Sequence, residues 1–224
     1  MPSRVLAIDG PAGSGKSTTA AAVAEQLDLP HVESGALYRA ITLAGLDAGV
    51  ELGGQRLVAL ARSLPIRLDL TDAGFRPEIA GVDVSQEIRS ARVTARVSEV
   101  SAMAEVREWV NEEVREAVAR HPRGAVLDGR DIGTVVFPDA VLKIFLVADP
   151  VIRARRRLLQ DGRVPDPDAV ASEVEALERR DAYDSTREVA PLRRASDAVV
   201  LDTTDLSFEQ QVRVIVDRAR NLFP

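Results

Sequence analysis

The octapeptide Gly10-Pro11-Ala12-Gly13-Ser14-Gly15-Lys16-Ser17 follows the apolar run Val5-Leu6-Ala7-Ile8-Asp9 and opens the Ala-rich segment Thr18 to Leu27. Its spacing is glycine, four residues, then Gly-Lys-Ser. Backbone N–H groups of such a turn converge on phosphate oxygens only where no side chain intervenes, which is why the pattern demands glycine. A helix beginning at its end points its positive pole at the same anion. In that arrangement Lys16 is a point charge for the β and γ phosphates of a nucleotide, and the Ser17 hydroxyl is a ligand for the accompanying magnesium. Gly10, Pro11, Ala12, Gly13, Ser14, Gly15, Lys16, Ser17 and Thr18 are the candidate nucleotide-binding residues, with Ser17 the candidate metal ligand.

The chain around this loop has 224 residues, within the range of one α/β domain carrying an insertion. Hydrophobic residues make up 46% and charged residues 29%, an ordinary soluble balance. No apolar run approaches the ~18 residues of a membrane span. Met1-Pro2-Ser3-Arg4 leads directly into the first apolar run, without the pattern of an export signal. A net charge of −6 argues against broad nucleic-acid binding, which needs a basic footprint. Cysteine is absent, so disulfides and thiolate metal sites are excluded, as expected of a cytoplasmic protein. Lys16 and Lys143 are the only lysines in an arginine-rich chain, so a lysine inside the phosphate loop reads as a choice of geometry.

Working outward, residues 4–9 read as a buried parallel strand and 15–27 as a helix. Pro30 to Glu33 is a short strand, and Ser34 is placed to cap a helix running to about Ala48. A short helix follows over Gln55 to Ser63. The texture then changes to alternation: Ile66 to Leu70, a turn at Thr71-Asp72-Ala73-Gly74, Phe75 to Ile79, and Val82 to Val84 predict a small antiparallel β insertion near residues 65–85. From Gln86 to Arg120 the pattern is helical. Ala125 to Asp128 is a strand ending in the loop Gly129-Arg130-Asp131-Ile132-Gly133-Thr134, which the carboxyl-end rule for open α/β sheets makes a ligand loop. Val141 to Val147 is another buried strand. Arg153, Arg155, Arg156, Arg157 and Arg163 fall in the segment after it and predict an arginine-rich, phosphate-facing lid over residues 150–165. The Pro/Asp-rich turn Val164 to Asp168 introduces a helix to about Tyr183, and Arg180, Asp184 and Arg187 share one side if it continues. A strand over Ala198 to Asp202 and a helix with a Ser207/Gln210 capping box close the chain. His31 and His121 stand in no group of metal-ligand or triad spacing. The fold expected is a three-layer α/β domain, a parallel sheet flanked by helices, spanning residues 1–224.

The chain resembles the bacterial cytidylate kinases, within the P-loop nucleoside monophosphate kinases, over essentially its full length. The resemblance rests on Ile8 to Ser17, on Ser34-Gly35-Ala36-Leu37-Tyr38-Arg39, on Asp128 to Ala140, and on Arg180-Asp181 with Ala190-Pro191-Leu192. Glu33 departs from it, the family usually having Asp there. The resemblance implies transfer of the ATP γ-phosphoryl group to CMP or dCMP with magnesium, residues 30–105 being the segment that binds the monophosphate nucleotide. It implies that Lys16, Arg130 and Arg157 are catalytic cations. Arg39, Arg130 and Arg187 would hold the monophosphate, Arg180 and Asp184 the ribose, and Ser34 and Tyr38 would line the pocket. Ser98, Arg107 and Asp131 would read the base: cytosine offers a donor at N4 and acceptors at N3 and O2, which suit a carboxylate and a guanidinium. A monomer is expected, with small molecules as its only partners and neither nucleic acid nor membrane among them.

Other acceptors served by the same architecture are AMP, UMP, dTMP or a metabolite such as shikimate. A reading from another class is a nucleotide-gated binding module without turnover. A GTPase is disfavoured, because neither Gly15-Lys16-Ser17 nor Leu142-Lys143-Ile144 can supply the guanine-reading Asn-Lys-x-Asp.

Overall fold

In the computed structural model, which describes residues 4–71 and 74–222, the chain begins with β1 (Val5–Asp9) and α1 (Lys16–Leu27). It continues through β2 (His31–Glu33), α2 (Gly35–Asp47), α3 (Gly54–Ser63), β3 (Ile66–Thr71), β4 (Gly74–Ile79), β5 (Val82–Asp83), α4 (Ala91–Ala102) and α5 (Ala104–Arg120). The remainder is β6 (Ala125–Gly129), β7 (Leu142–Val147), α6 (Pro150–Gln160), α7 (Pro167–Thr186), β8 (Val199–Asp202) and α8 (Phe208–Arg220). The chain divides into two compact units, the first Met1–Leu29 with Val126–Pro224, the second Pro30–Ala125. The expected start at Met1-Pro2-Ser3 and the central residues of the Thr71–Gly74 turn, Asp72 and Ala73, lie outside the described residues.

In the first unit the strands run in the order β6-β1-β7-β8. All five residues of β1 are buried, so an unbroken apolar run belongs there and an alternating one would not. β1 and β7 pair in parallel, Leu6 beside Leu142 and Ile8 beside Ile144; β8 pairs in parallel with β7. At the edge, β8 is half-buried on one face and exposed on the other, where Val200 lies. Helices α1 and α8 close a core of Ile8, Val23, Ile144, Leu146, Val212 and Ile215. The amphipathic spacing of Val212, Ile215, Val216 and Ala219 turns one stripe of α8 inward. Its predicted capping box is present: Ser207 Oγ accepts from Gln210 N at 3.2 Å while Gln210 Oε1 accepts from Ser207 N at 2.8 Å. A second cluster of Ala12, Ala154, Leu158, Val170 and Leu177 packs α6 and α7 together beneath the phosphate loop. Both helices start from an aspartate cap followed by proline, Asp149-Pro150 and Asp166-Pro167.

In the second unit α2 is buried along most of its length, and β3, β4 and β5 form the expected antiparallel sheet. Ile66 and Leu68 face inward while Arg67 and Asp69 face out, so alternation shows on β3. Ile79 pairs with Val82 across a two-residue turn, Ala80 and Gly81, both at positive φ.

Four expectations are corrected. The stretch Gln86 to Arg120 is not one helix: a 3-10 turn over Glu87–Arg89 precedes α4, and Met103 is extended between α4 and α5. The apolar positions explain the break, since Val93, Val97 and Val100 keep one helical phase and Val106, Val110 and Val114 begin another. The loop expected after β6 is partly helical: Ile132–Val136 forms a single π-helical turn in which Phe137 N donates to Ile132 O at 2.7 Å. Ser34 occupies the N-cap of α2 with helical backbone angles and makes no side-chain cap bond. Arg153, expected in the phosphate-facing run, is turned inward and buried. Among the described residues no helix is long and apolar enough to cross a membrane.

Candidate functional site

The phosphate loop leaves the end of β1 where only glycine fits. Gly10 has φ +151°, and a Cβ there would lie 2.1 Å from the Leu146 carbonyl oxygen on the neighbouring strand. Gly13 and Gly15 also take positive φ, delivering the chain into α1 at Lys16.

Lys16 is buried. Its Nζ donates to Pro11 O at 2.6 Å and to Ser14 Oγ at 3.3 Å, so the ammonium lies inside the ring of the loop. Burial pushes it well below the ordinary lysine range, and Arg130 and Arg180 push the same way against Asp128 and Asp9. Arg130 and Arg180 thus disfavour the Lys16 charge at a buried helix start, and a polyanion bound there relieves that repulsion.

Ser17 Oγ donates to Asp128 Oδ2 at 2.6 Å, so a hydroxyl and a carboxylate meet beside the loop. These are the hard oxygen donors magnesium takes, and an ion carried by nucleotide phosphates needs only one or two protein ligands. Among the described residues there is no cluster of three or more carboxylate or histidine side chains that would hold a metal unaided.

Asp9, the last residue of β1, accepts from Ile132 N at 2.9 Å and Gly133 N at 2.7 Å. It therefore caps the π turn from another strand, satisfying donors that the start of any helix leaves open. Burial raises its carboxyl to about 6 against the opposing pull of those two N–H groups, with Asp131 raising it further and Lys16 lowering it.

The expected acceptor-side residues of the first unit form one network. Arg130 Nε donates to Asp184 Oδ2 at 2.9 Å. Arg187 reaches Asp131 Oδ1 at 3.7 Å and Asp184 Oδ1 at 3.9 Å, while its Nε donates to Ala190 O at 2.7 Å. Asp184 lies on α7 one turn after Arg180, and Arg187 stands just past the helix end. Their common side follows from that spacing.

In the second unit Tyr38 and Arg107 are buried together, the guanidinium 5.4 Å from the ring centroid. Arg107 Nη1 donates to Ser101 O at 2.9 Å, which holds α5 to the end of α4. Ser98 is half-buried on α4. Arg39 donates to Ile88 O at 3.3 Å and Thr94 Oγ1 at 3.0 Å, and Ser34 is buried at the start of α2.

Between the loop, α6 and α8 is a cavity of about 450 Å³ lined by Gly15, Thr18, Arg157, Leu206, Phe208 and Gln211 among others. Arg157 on its wall pairs with Asp161 at 3.2 Å. Arg156 is tied to Thr203 O at 2.7 Å, so the arginines of α6 serve different ends.

Sequence reasoning missed the roles of Asp9, Asp128 and Asp181 in this site, and gave Arg153 a phosphate-facing role where it holds Ala12 O and Asp181. Asp9 ends β1 and Asp128 is the last residue but one of β6, both at the ligand-binding edge of the sheet. A charged residue closing an apolar run was the available signal. Arg153 and Asp181 carry no such signal, since each is one charge among many on a helix.

A family model for cytidylate kinase matches residues 6–221. Curated cytidylate kinases similar to this chain include that of Streptomyces griseus, 46% identical over 213 residues that span 95% of this chain and 90% of the relative. That of Salinibacter ruber is 44% identical over 220 residues, 96% of each chain. A crystal structure of an uncharacterized protein from Eubacterium ventriosum aligns at a TM-score of 0.53 and 11% identity over 96% of this chain and 98% of that one, a likeness of fold alone.

Proposed function

Because the chain belongs to the cytidylate kinase family, we propose that it transfers the γ-phosphoryl group of ATP to CMP or dCMP, giving CDP or dCDP and ADP. The observation that carries this reading beyond the family match is the phosphate loop itself, with the Lys16 ammonium held on Pro11 O inside it and Ser17 Oγ donating to Asp128 beside it. The acceptor is already an anionic phosphate oxygen, so no general base is required. Catalysis reduces to placing donor and acceptor in line and neutralising charge as it spreads over the transferred group.

In this mechanism the loop N–H groups and Lys16 hold the β and γ phosphates. Lys16 leaves its carbonyl partner at Pro11 for phosphate oxygen. Ser17, with Asp128 beside it, would hold the magnesium, which supplies charge neutralisation between the phosphates. Arg130, Arg39 and Arg187 are the proposed monophosphate ligands, with Arg180 and Asp184 for the ribose. Arg130 exchanges its Asp184 partner for a phosphate oxygen, which leaves that carboxylate to accept from the ribose hydroxyls.

Ser34 and Tyr38 keep their proposed pocket role, and Ser98, Arg107 and Asp131 their proposed base-reading roles. The Asp131 carboxylate accepts from the N4 amine of cytosine, and the Arg107 guanidinium donates to N3 or O2. Uracil presents a carbonyl in place of that amine, so its binding sets two acceptors against each other. The flat apolar side of Phe208, with Leu206 and the Arg157 guanidinium, suits the adenine ring of the donor. Arg157 remains a proposed catalytic cation on the same wall, and residues 150–165 remain the proposed lid. The proposed setting is a cytoplasmic monomer acting on small soluble nucleotides.

The test is steady-state turnover of purified protein with ATP, magnesium and each of CMP, dCMP, UMP and AMP. Preference for CMP or dCMP is expected. Faster use of UMP than of CMP refutes the base-reading assignment, and ATP binding without ADP formation in the presence of CMP refutes the enzyme.

A further inference from the structure

The backbone of Ala12, in the middle of the phosphate loop, is held at both its N–H and its carbonyl by one ion pair, of a buried arginine with a half-buried aspartate. Its N–H donates to Asp181 Oδ1 at 2.8 Å, and its carbonyl accepts from Arg153 Nη1 at 2.8 Å. Arg153 Nη1 in turn donates to Asp181 Oδ2, closing a ring of three hydrogen bonds. Arg153 belongs to α6 and Asp181 to α7, the two helices that bracket residues 161–166.

Apolar contacts repeat the attachment. The Ala12 methyl is buried in the cluster of Ala154, Leu158, Val170 and Leu177 from the same two helices. Next along, a Cβ on Gly13 would stand 3.3 Å from both Arg153 Cβ and Leu177 Cδ1. The donor-phosphate loop is therefore seated on the α6–α7 pair, with no slack at Ala12 or Gly13.

Asp181 lies between the acceptor-side residues of α7. Arg180 precedes it and is near enough to act on the Lys16 charge, and Asp184 follows within a turn and binds Arg130. Any sliding of α7 along the loop would displace Arg180 and the Arg130–Asp184 pair relative to the γ-phosphate position. A largely buried ion pair is a poor device for stability alone, since apolar replacements are often neutral or better. Here it fixes an orientation that apolar packing would leave free to slide, because the N–H and the carbonyl of one residue must be met at once.

We propose that Asp181, with Arg153, is a positioning residue that sets the distance between the donor-phosphate loop and the acceptor-binding side of α7 through the Ala12 backbone. It touches neither nucleotide, and its effect falls on the chemical step. The inference rests on the kinase reading above and is tested so that the two fail separately.

Asp181→Asn, Asp181→Ala, Arg153→Gln and the double variant Arg153→Gln/Asp181→Asn are assayed well below each one's thermal midpoint. The acceptor is whichever of CMP, dCMP, UMP and AMP the unaltered protein uses fastest, so a wrong substrate refutes the kinase assignment without touching this one. Misplacement of about 1 Å costs up to about a hundredfold in rate, so kcat is expected to fall about tenfold to a hundredfold in Asp181→Ala. Asp181→Asn, which keeps an acceptor for the Ala12 N–H, is expected to lose about tenfold. KM for ATP and for the acceptor should stay within about threefold, as befits a residue that binds neither. The double variant should lie within about threefold of its worse single, because the ring fails as a unit. If Asp181→Ala does not fold, Asp181→Asn and Arg153→Gln carry the test. A kcat within about threefold of the unaltered protein in those two, a loss borne by KM alone, or losses that multiply in the double variant would each overturn the proposal.

Discussion

Asp9 sets two physical effects against each other, and its pH dependence shows which prevails. The carboxylate accepts two backbone N–H groups, an arrangement that by itself favours ionisation, yet it is buried at the end of a central strand, which opposes it. Burial wins, and the folded-state carboxyl is raised from 3.8 to about 6. A carboxyl raised by folding binds its proton more tightly in the folded state. It contributes stability that is fully present below about pH 3.8 and is lost as pH rises through about 6. The full swing is about 3 kcal/mol, at about 1.4 kcal/mol per unit. Between about pH 7.5 and about pH 5 the part recovered is about 1.4 kcal/mol. Other groups titrate over the same interval, so the perturbation is Asp9→Asn, which removes this titration and leaves theirs. Urea unfolding of both proteins at the two pH values, without nucleotide, measures the effect. The stability of the parent relative to Asp9→Asn is expected to rise by about 1.4 kcal/mol on acidification. A difference constant within about 0.5 kcal/mol would mean that the N–H pair cancels burial, and a fall would mean that it prevails. Either result refutes the reasoning.

Lys16→Ala is expected to lower kcat by at least about a hundredfold while the thermal midpoint holds or rises, since the lost ammonium is buried and held below its ordinary range. A kcat near that of the parent removes Lys16 from the mechanism. Asp131→Asn replaces an acceptor-only group with one that also donates, so the ratio of kcat/KM for CMP over UMP should fall by about tenfold or more; competition between the two acceptors measures it, and an unchanged ratio transfers base reading elsewhere. Ala80, at φ +52° in a two-residue turn that favours Asn or Gly, is a local weak point of the β insertion. Ala80→Asn should stabilise by about 0.5–1 kcal/mol in denaturant unfolding with activity unchanged, and a destabilised variant would contradict the turn assignment.

Much of the second unit's pattern could be read in advance because its signals are local. The alternation of Ile66 and Leu68 with Arg67 and Asp69 is a statement about one strand, and it shows as buried and exposed faces on that strand. The capping box at Ser207 and Gln210 is likewise a contact within four residues. The break at Met103 was harder, since each half of the Gln86–Arg120 stretch is helical by itself and only the change of apolar phase between Val100 and Val106 betrays the junction. The arginines after β7 were hardest. Arg153, Arg156 and Arg157 are indistinguishable as residues on a basic helix, yet one is buried on Asp181, one is tied to Thr203 and one pairs with Asp161. The partners of the first two are supplied by other elements, and no spacing along α6 encodes them.

The phosphate loop divides in the same way. By itself the sequence determined its glycines, its lysine and the helix behind it, because backbone conformation at Gly10, Gly13 and Gly15 and the start of α1 at Lys16 are short-range matters of sterics and dipoles. Only the tertiary structure decided what holds that loop in place. Asp9 reaches 123 residues along the chain to Ile132, Ser17 reaches 111 to Asp128, and Ala12 reaches 169 to Asp181. A hydrogen bond depends on angstroms of separation in space, and local pattern carries no information about which distant carboxylate the fold will bring there.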